Sequence, residues 1–205
     1  KCDEITFVIV ASDEFSFRNQ GMTTAQSIEY ISKLLKNREP GIKVCISIAA
    51  AFGCPFEGVV KPSQVIEIAQ KCLDLCPDEI SLADTIGVAV PKDVKEKVEP
   101  LISLYSNTPV RLHLHNTRNT AISNAWTAFE LGVKRFDASF GGIGGCPFAP
   151  NATGNVAIED LIYLFERSGF NTGVDLDASI KVAEWLREQV KHPLPSALLA
   201  AGDFK

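Results

Sequence analysis

Apolar residues follow two alternating rhythms along this chain. Short, nearly unbroken apolar runs occupy 5–11 (ITFVIVA), 43–50 (KVCISIAA), 79–85 (EISLADT), 110–116 (VRLHLHN) and 135–140 (RFDASF). Between them apolar positions recur every three or four residues, the period of a helix face. Thr23-Thr24-Ala25-Gln26 has capping-box spacing ahead of Ile28, Ile31, Leu34 and Leu35. Pro62 opens the segment carrying Val65, Ile66, Ala69, Cys72 and Leu73, and Pro91 opens the one carrying Val94, Val98, Leu101 and Ile102. Proline is tolerated at a first helical position, where its missing N–H has no partner to lose. Further helices are predicted over 119–131, ending at Gly132, over 156–168, ending at Gly169, and over 177–191.

Strands that alternate with helices at this spacing imply parallel strands joined by right-handed crossovers. An open doubly wound sheet and a (β/α)8 barrel both fit, and both gather chemistry at the C-terminal ends of their strands. The polar residues separate the two. Ser12 and Asp13 follow the first run, Asp84 and Thr85 end the third, His113, His115 and Asn116 end the fourth, and Asp137 lies in the fifth. A barrel mouth draws on every strand, whereas an open-sheet crevice rarely does. The expected fold is therefore α/β, a (β/α)8 TIM barrel. The chain is expected to carry about the last five strand–helix units plus a C-terminal helix, in one domain over 1–205 without the first three strands.

Composition narrows the function. A net charge of -5 with no basic stripe argues against a nucleic-acid partner. No apolar run approaches the roughly 20 residues that span a bilayer, so no membrane is expected. KCDEITFVIV lacks the basic start and cleavage site of a signal peptide, and the expected location is cytoplasmic, or mitochondrial if a transit peptide precedes the chain. Six cysteines sit mostly in apolar segments and are read as reduced thiols, with Cys72 and Cys76 both facing the core of one helix.

Several residues are candidates for chemistry. His113 and His115 stand two apart on a strand, so both imidazoles project from one face, either as a divalent-metal seat or as hydrogen-bonding strand histidines. His192, beside Pro193, is placed on the surface. Asn155 is either the N-cap of the helix that follows or a metal donor. Cys146 lies beyond glycines 141, 142, 144 and 145, which permit close backbone approach to a ligand, and a thiol of tuned pKa can serve as acid or base. Cys54 sits in a second Gly-Cys-Pro-Phe loop, expected to face the first across the mouth. Asp84 is either a strand-end cap or a working carboxylate.

Taken together, Phe52-Gly-Cys-Pro-Phe-Glu-Gly58, Glu79-Ile-Ser-Leu-Ala-Asp-Thr-Ile-Gly-Val88, His113-Leu-His115, Gly141-Gly-Ile-Gly-Gly-Cys-Pro-Phe-Ala-Pro150 and Thr153-Gly-Asn-Val156 resemble the 3-hydroxy-3-methylglutaryl-CoA lyases, metal-dependent TIM-barrel enzymes. The resemblance implies retro-Claisen cleavage of an acyl-CoA substrate. His113, His115 and Asn155 would bind Mg2+ or Mn2+, and Cys146, with His113 and Asp84, would be catalytic. Glu159, Asp160, Cys54 and Asn19 would support the site or touch substrate. A homodimer is the expected assembly. The family's arginine–aspartate pair is not in this sequence, so these 205 residues are expected to be inactive alone. Asn116 also replaces the family's carboxylate after the second histidine. A citramalyl-CoA lyase, a Claisen-type synthase of the same barrel group and a catalytically silent fragment remain alternatives.

Overall fold

A computed structural model describes residues 2–105, 107–145 and 154–204. Five strands, β1 (Glu4–Val10), β2 (Lys43–Ala49), β3 (Glu79–Asp84), β4 (Val110–Leu114) and β5 (Arg135–Asp137), form one parallel sheet in chain order. This is the sheet of a partial TIM barrel. The intervening helices are α1 (Asp13–Gln20), α2 (Thr24–Leu35), α3 (Pro62–Leu73), α4 (Pro91–Leu104) and α5 (Ala121–Glu130); α6 (Ile158–Arg167), α7 (Leu176–Val190) and the short α8 (Ala197–Ala201) follow β5.

Parallel register gives the sheet two distinct faces, because aligned residues point the same way. Ile9, Ile48, Leu82 and Leu112 form one row, and Ile46, Ile80 and Val110 another. These side chains are buried with Val65, Ala69, Val94, Val98 and Ala125 from the covering helices. Each fully buried aliphatic side chain here contributes roughly 1.5–3 kcal/mol. The opposite, concave face is polar. Ser47, Ser81, Arg111 and Arg135 align across it, as do Ala83, His113 and Asp137 above them.

Local chemistry accounts for the helix ends. Thr23 Oγ1 accepts from Gln26 N–H and Gln26 Oε1 accepts from Thr23 N–H, completing the expected capping box. Pro62 and Pro91 occupy first turns as predicted. The unpredicted α1 is capped by Ser12, whose Oγ accepts from Phe15 N–H at 3.2 Å, and ends at Gly21 with φ 72°. Cys76 differs from expectation. It lies past the end of α3 with φ 54° and is exposed, whereas Cys72 is buried. Among the described residues Cys2, Cys45, Cys54, Cys72 and Cys76 are free thiols.

The fifth unit departs from the pattern. A 3-10 turn, Phe140–Gly142, replaces the predicted end of β5. The chain then returns through Gly154 to an extended segment that bridges Ser139 to Ala157 and His115 to Asn155. This segment is hydrogen-bonded to the residues that follow both β4 and β5, so it lies between the C-terminal ends of those two strands. The apolar side of β5 is left facing a cavity of about 550 Å3 lined by Phe129, Phe136, Ile158, Leu161 and Phe165.

Candidate active site at the strand ends

His113 is the penultimate residue of β4 and His115 follows two later, so alternation points both rings to the concave side at the C-terminal end of the sheet. Their centroids are 5.3 Å apart with the planes inclined at 54°. His115 is only 5% exposed, and its Nδ1 is buried without a hydrogen-bond partner. Burial, with a smaller contribution from His113, lowers its pKa to about 4, so the ring is neutral at pH 7 and its lone pair is free for a cation.

Asn155 is held beside His115 by the main chain. Asn116 N–H donates to Gly154 O at 3.0 Å, and Val156 N–H donates to Leu114 O at 2.9 Å. The N-cap of α6 is Ala157, so the capping role expected as one reading of Asn155 is not the one it takes. Asn155 Nδ2 donates to Ile143 O at 2.9 Å, while Oδ1 is buried with no partner. Two buried, unpartnered polar atoms, an imidazole nitrogen and an amide oxygen, of the groups that bind hard or borderline divalent cations thus belong to neighbouring residues. A buried acceptor left unpaired costs about 1–3 kcal/mol, which coordination would recover. The donor set fits a divalent ion in kind but is incomplete in number. Among the described residues no three His, Cys, Asp or Glu side chains cluster at metal-binding distance.

The glycines here meet a packing demand. A Cβ on Gly144, which has φ 117°, would lie 2.5 Å from Asn155 Nδ2; one on Gly154, with φ 132°, would lie 2.3 Å from Gly142 O. Side chains at either position would displace Asn155 or its backbone. Cys146 lies outside the described residues, and so does the opposition of its loop to that of Cys54.

Other sequence candidates have identifiable tasks. Asp84 shares its strand parity with Ile80 and Leu82, so it points to the helix side and away from the imidazoles. Its oxygens accept from Val88 and Ala89 N–H at 3.0 Å each, and burial raises its pKa against the pull of those bonds. These bonds are those of a strand-end cap, one of the two readings of Asp84. Cys54 Sγ donates to Ser12 Oγ at 3.0 Å and receives Phe56 and Glu57 N–H, tying the loop after β2 to the start of α1. Asn19 is on the exposed side of α1. Glu159, fully buried in the first turn of α6, accepts Gly141 N–H at 2.9 Å and so anchors the start of the glycine loop; burial raises its pKa. Asp160 accepts from Ser196 Oγ and from Ala197 and Leu198 N–H, capping α8. His192 is exposed, as expected.

Sequence reasoning missed Arg111 and Glu79 on the concave face. Glu79 is 2% exposed and pairs with Arg111 and with Arg135, the latter at 3.0 Å; Arg111 also meets Glu4 at 3.0 Å. The available signal was alternation, since a charged residue between two apolar ones in VRLHL faces opposite to the core.

Fold and site together define a parallel α/β-barrel protein whose polar cluster lies at the C-terminal strand ends, where such barrels carry their active sites. The HMGL-like family model matches residues 1–186. The (R)-citramalyl-CoA lyase of Chloroflexus aurantiacus is 45% identical over 97% of this chain and 63% of its own length. A hydroxymethylglutaryl-CoA lyase of Bacillus subtilis is 34% identical over 95% of this chain and 65% of its own. The structure of an HMG-CoA lyase from Acinetobacter baumannii in complex with coenzyme A and 3-methylmalate superposes with a TM-score of 0.93 at 40% identity, covering 98% of this chain and 66% of that one. The chain belongs to the HMG-CoA lyase family, and it spans a little under two thirds of the length of these curated relatives.

Proposed function

We propose that the chain carries most of the active site of a carbon–carbon lyase that cleaves a 3-hydroxy-3-methylacyl-CoA, with 3-hydroxy-3-methylglutaryl-CoA giving acetyl-CoA and acetoacetate. The observation that carries this reading is a pair of buried, unpartnered polar atoms, His115 Nδ1 and Asn155 Oδ1, on two residues that the main chain bridges at the strand ends of a barrel from this family. His113, His115 and Asn155 would hold Mg2+ or Mn2+, with further donors from outside these residues. A bound divalent ion would acidify the tertiary hydroxyl of the substrate and stabilise the alkoxide.

With the hydroxyl proton passed to water, the alkoxide would form a carbonyl as the adjacent carbon–carbon bond breaks. The electron pair passes to the acetyl-CoA α-carbon as an enolate, and Cys146 would return a proton to that carbon. Glu159, through Gly141, and Asn155, through Ile143, hold the glycine-rich stretch that precedes Cys146 in the chain. Neutral His115 adds no positive charge to compete with a cation.

A second reading has a specific observation in its favour. The citramalyl-CoA lyase is 45% identical, against 34% and 37% for hydroxymethylglutaryl-CoA lyases of Bacillus subtilis and Pseudomonas mevalonii, which favours citramalyl-CoA giving acetyl-CoA and pyruvate. Among the described residues no helix is long and apolar enough to cross a membrane. Association as a dimer is part of the proposal. The test is acetyl-CoA release with Mg2+ from each substrate by the gene product at its native length, beside Cys146→Ala. Release from one substrate that collapses in the variant supports that assignment; no release from either, with metal bound, favours a catalytically silent barrel.

A further inference from the structure

The concave face contains charge that neither the core nor the proposed chemistry explains. Barrel interiors are ordinarily filled by layers of branched apolar side chains. Here Glu79, Arg111 and Asp137 form a chain of contacts that ends at His113. Arg111 pairs with Glu79 and lies 3.5 Å, through Nη1, from Asp137 Oδ1; the other carboxylate oxygen, Asp137 Oδ2, lies 3.5 Å from His113 Nδ1. The geometry follows from register, since His113 on β4 is aligned with Asp137 on β5, and Arg111 with Arg135 one step below.

We propose that Asp137 is a positioning residue that holds the His113 ring in the orientation and tautomer a metal ligand requires, and that Arg111 holds Asp137 in turn. The proposal rests on the metal-binding reading of His113. The chemistry follows from what each group can donate. A carboxylate only accepts, so Asp137 favours the tautomer with its proton on Nδ1 and leaves the Nε2 lone pair toward the mouth. A guanidinium only donates, so Arg111 claims the other carboxylate oxygen and fixes the plane of the group. Glu79, at 2% exposure, secures Arg111 from the opposite side. At 3.5 Å the contact is longer than a hydrogen bond, but a carboxylate facing Nδ1 still favours the proton on that nitrogen electrostatically. Carboxylates that orient ligating histidines in this way change metal affinity by about 10–100-fold when removed.

The asymmetry makes Asp137→Asn informative. Arg111 demands the amide oxygen, so the amide NH2 turns toward His113 Nδ1 and selects the tautomer protonated on Nε2. Two measurements on the gene product at its native length test this. Long-range 1H–15N correlation spectra of the metal-free protein report the His113 tautomer, and Mn2+ titration followed by electron paramagnetic resonance reports affinity. The expected result is an Nδ1–H ring in the unaltered protein, an Nε2–H ring in Asp137→Asn, and Mn2+ affinity about 10–100-fold lower in the variant. An Nε2–H ring in the unaltered protein overturns the proposal without any variant. Unchanged Mn2+ affinity in a folded Asp137→Asn or Asp137→Ala also overturns it. If His113→Ala leaves Mn2+ affinity unchanged, the metal-binding reading of His113 fails, and the Asp137 proposal fails with it even where the tautomer is as expected.

Discussion

Acid should destabilise this fold through one imidazole more than its surface would suggest. His115 titrates near its ordinary value of about 6.5 in the unfolded chain, but burial and the neighbouring His113 lower its folded pKa to about 4. Between these values the unfolded state binds the proton more readily than the folded state, so stability falls as pH falls. The contribution is unchanged above about pH 6.5 and is progressively lost on the way down to pH 4. Proton linkage gives a loss of roughly 2 kcal/mol by pH 5 and about 3 kcal/mol at pH 4, relative to neutral pH. Asp84 and Glu159, whose folded pKa values are raised, act in the opposite sense, so total stability alone is not diagnostic. The informative quantity is the difference between the unaltered protein and His115→Gln. Urea unfolding in chelator at pH 7.5, 6, 5 and 4.5 should show His115→Gln starting less stable at neutral pH, then converging on the unaltered protein by roughly 2 kcal/mol by pH 5. Parallel stability curves across that range would refute the premise that His115 is held neutral by burial.

Other substitutions probe the site and its frame. Gly144→Ala should displace the Asn155 amide, since the new Cβ would sit 2.5 Å from Nδ2, and should weaken Mn2+ binding with little change in circular dichroism. Asp84→Asn should cost about 1–3 kcal/mol in unfolding free energy, because an amide cannot accept from both Val88 and Ala89 N–H through two oxygens. Leu112→Ala, at a fully buried position, should cost about 2–5 kcal/mol in urea unfolding. In native protein an aromatic disulfide reagent at pH 8 should label Cys2 and Cys76 quickly and leave Cys45 and Cys72 unmodified, since burial pushes both latter thiols up to about 12.

The alternation of strand and helix was legible because each strand is buried against helices on one side and carries few interruptions. The capping box at Thr23 and the prolines at 62 and 91 were legible because they act within one turn. Helix α1 was not, although Ser12, Asp13, Glu14 and Gly21 mark its ends, because only two residues separate it from a strand and it lacks an apolar stripe. The facing of Asp84 was not legible, because strand-end position does not give it; the parity it shares with Leu82 does. The histidine pair was legible from spacing, whereas its contact with Asp137 depends on the register between two strands that lie apart in sequence. Asn155 could be resolved only by seeing that α6 begins three residues later.

The backbone bonds that place Asn155 against His115 have an evolutionary consequence. Leu114, Asn116, Gly154 and Val156 hold the two donors together through main-chain atoms alone. Substitutions among the side chains that line the mouth leave this pairing in place, provided the glycines beside it are kept. A lineage can therefore remodel what the mouth accepts without rebuilding the proposed cation seat beneath it, and novelty in such a scaffold should accumulate in the loops before it reaches the strand ends.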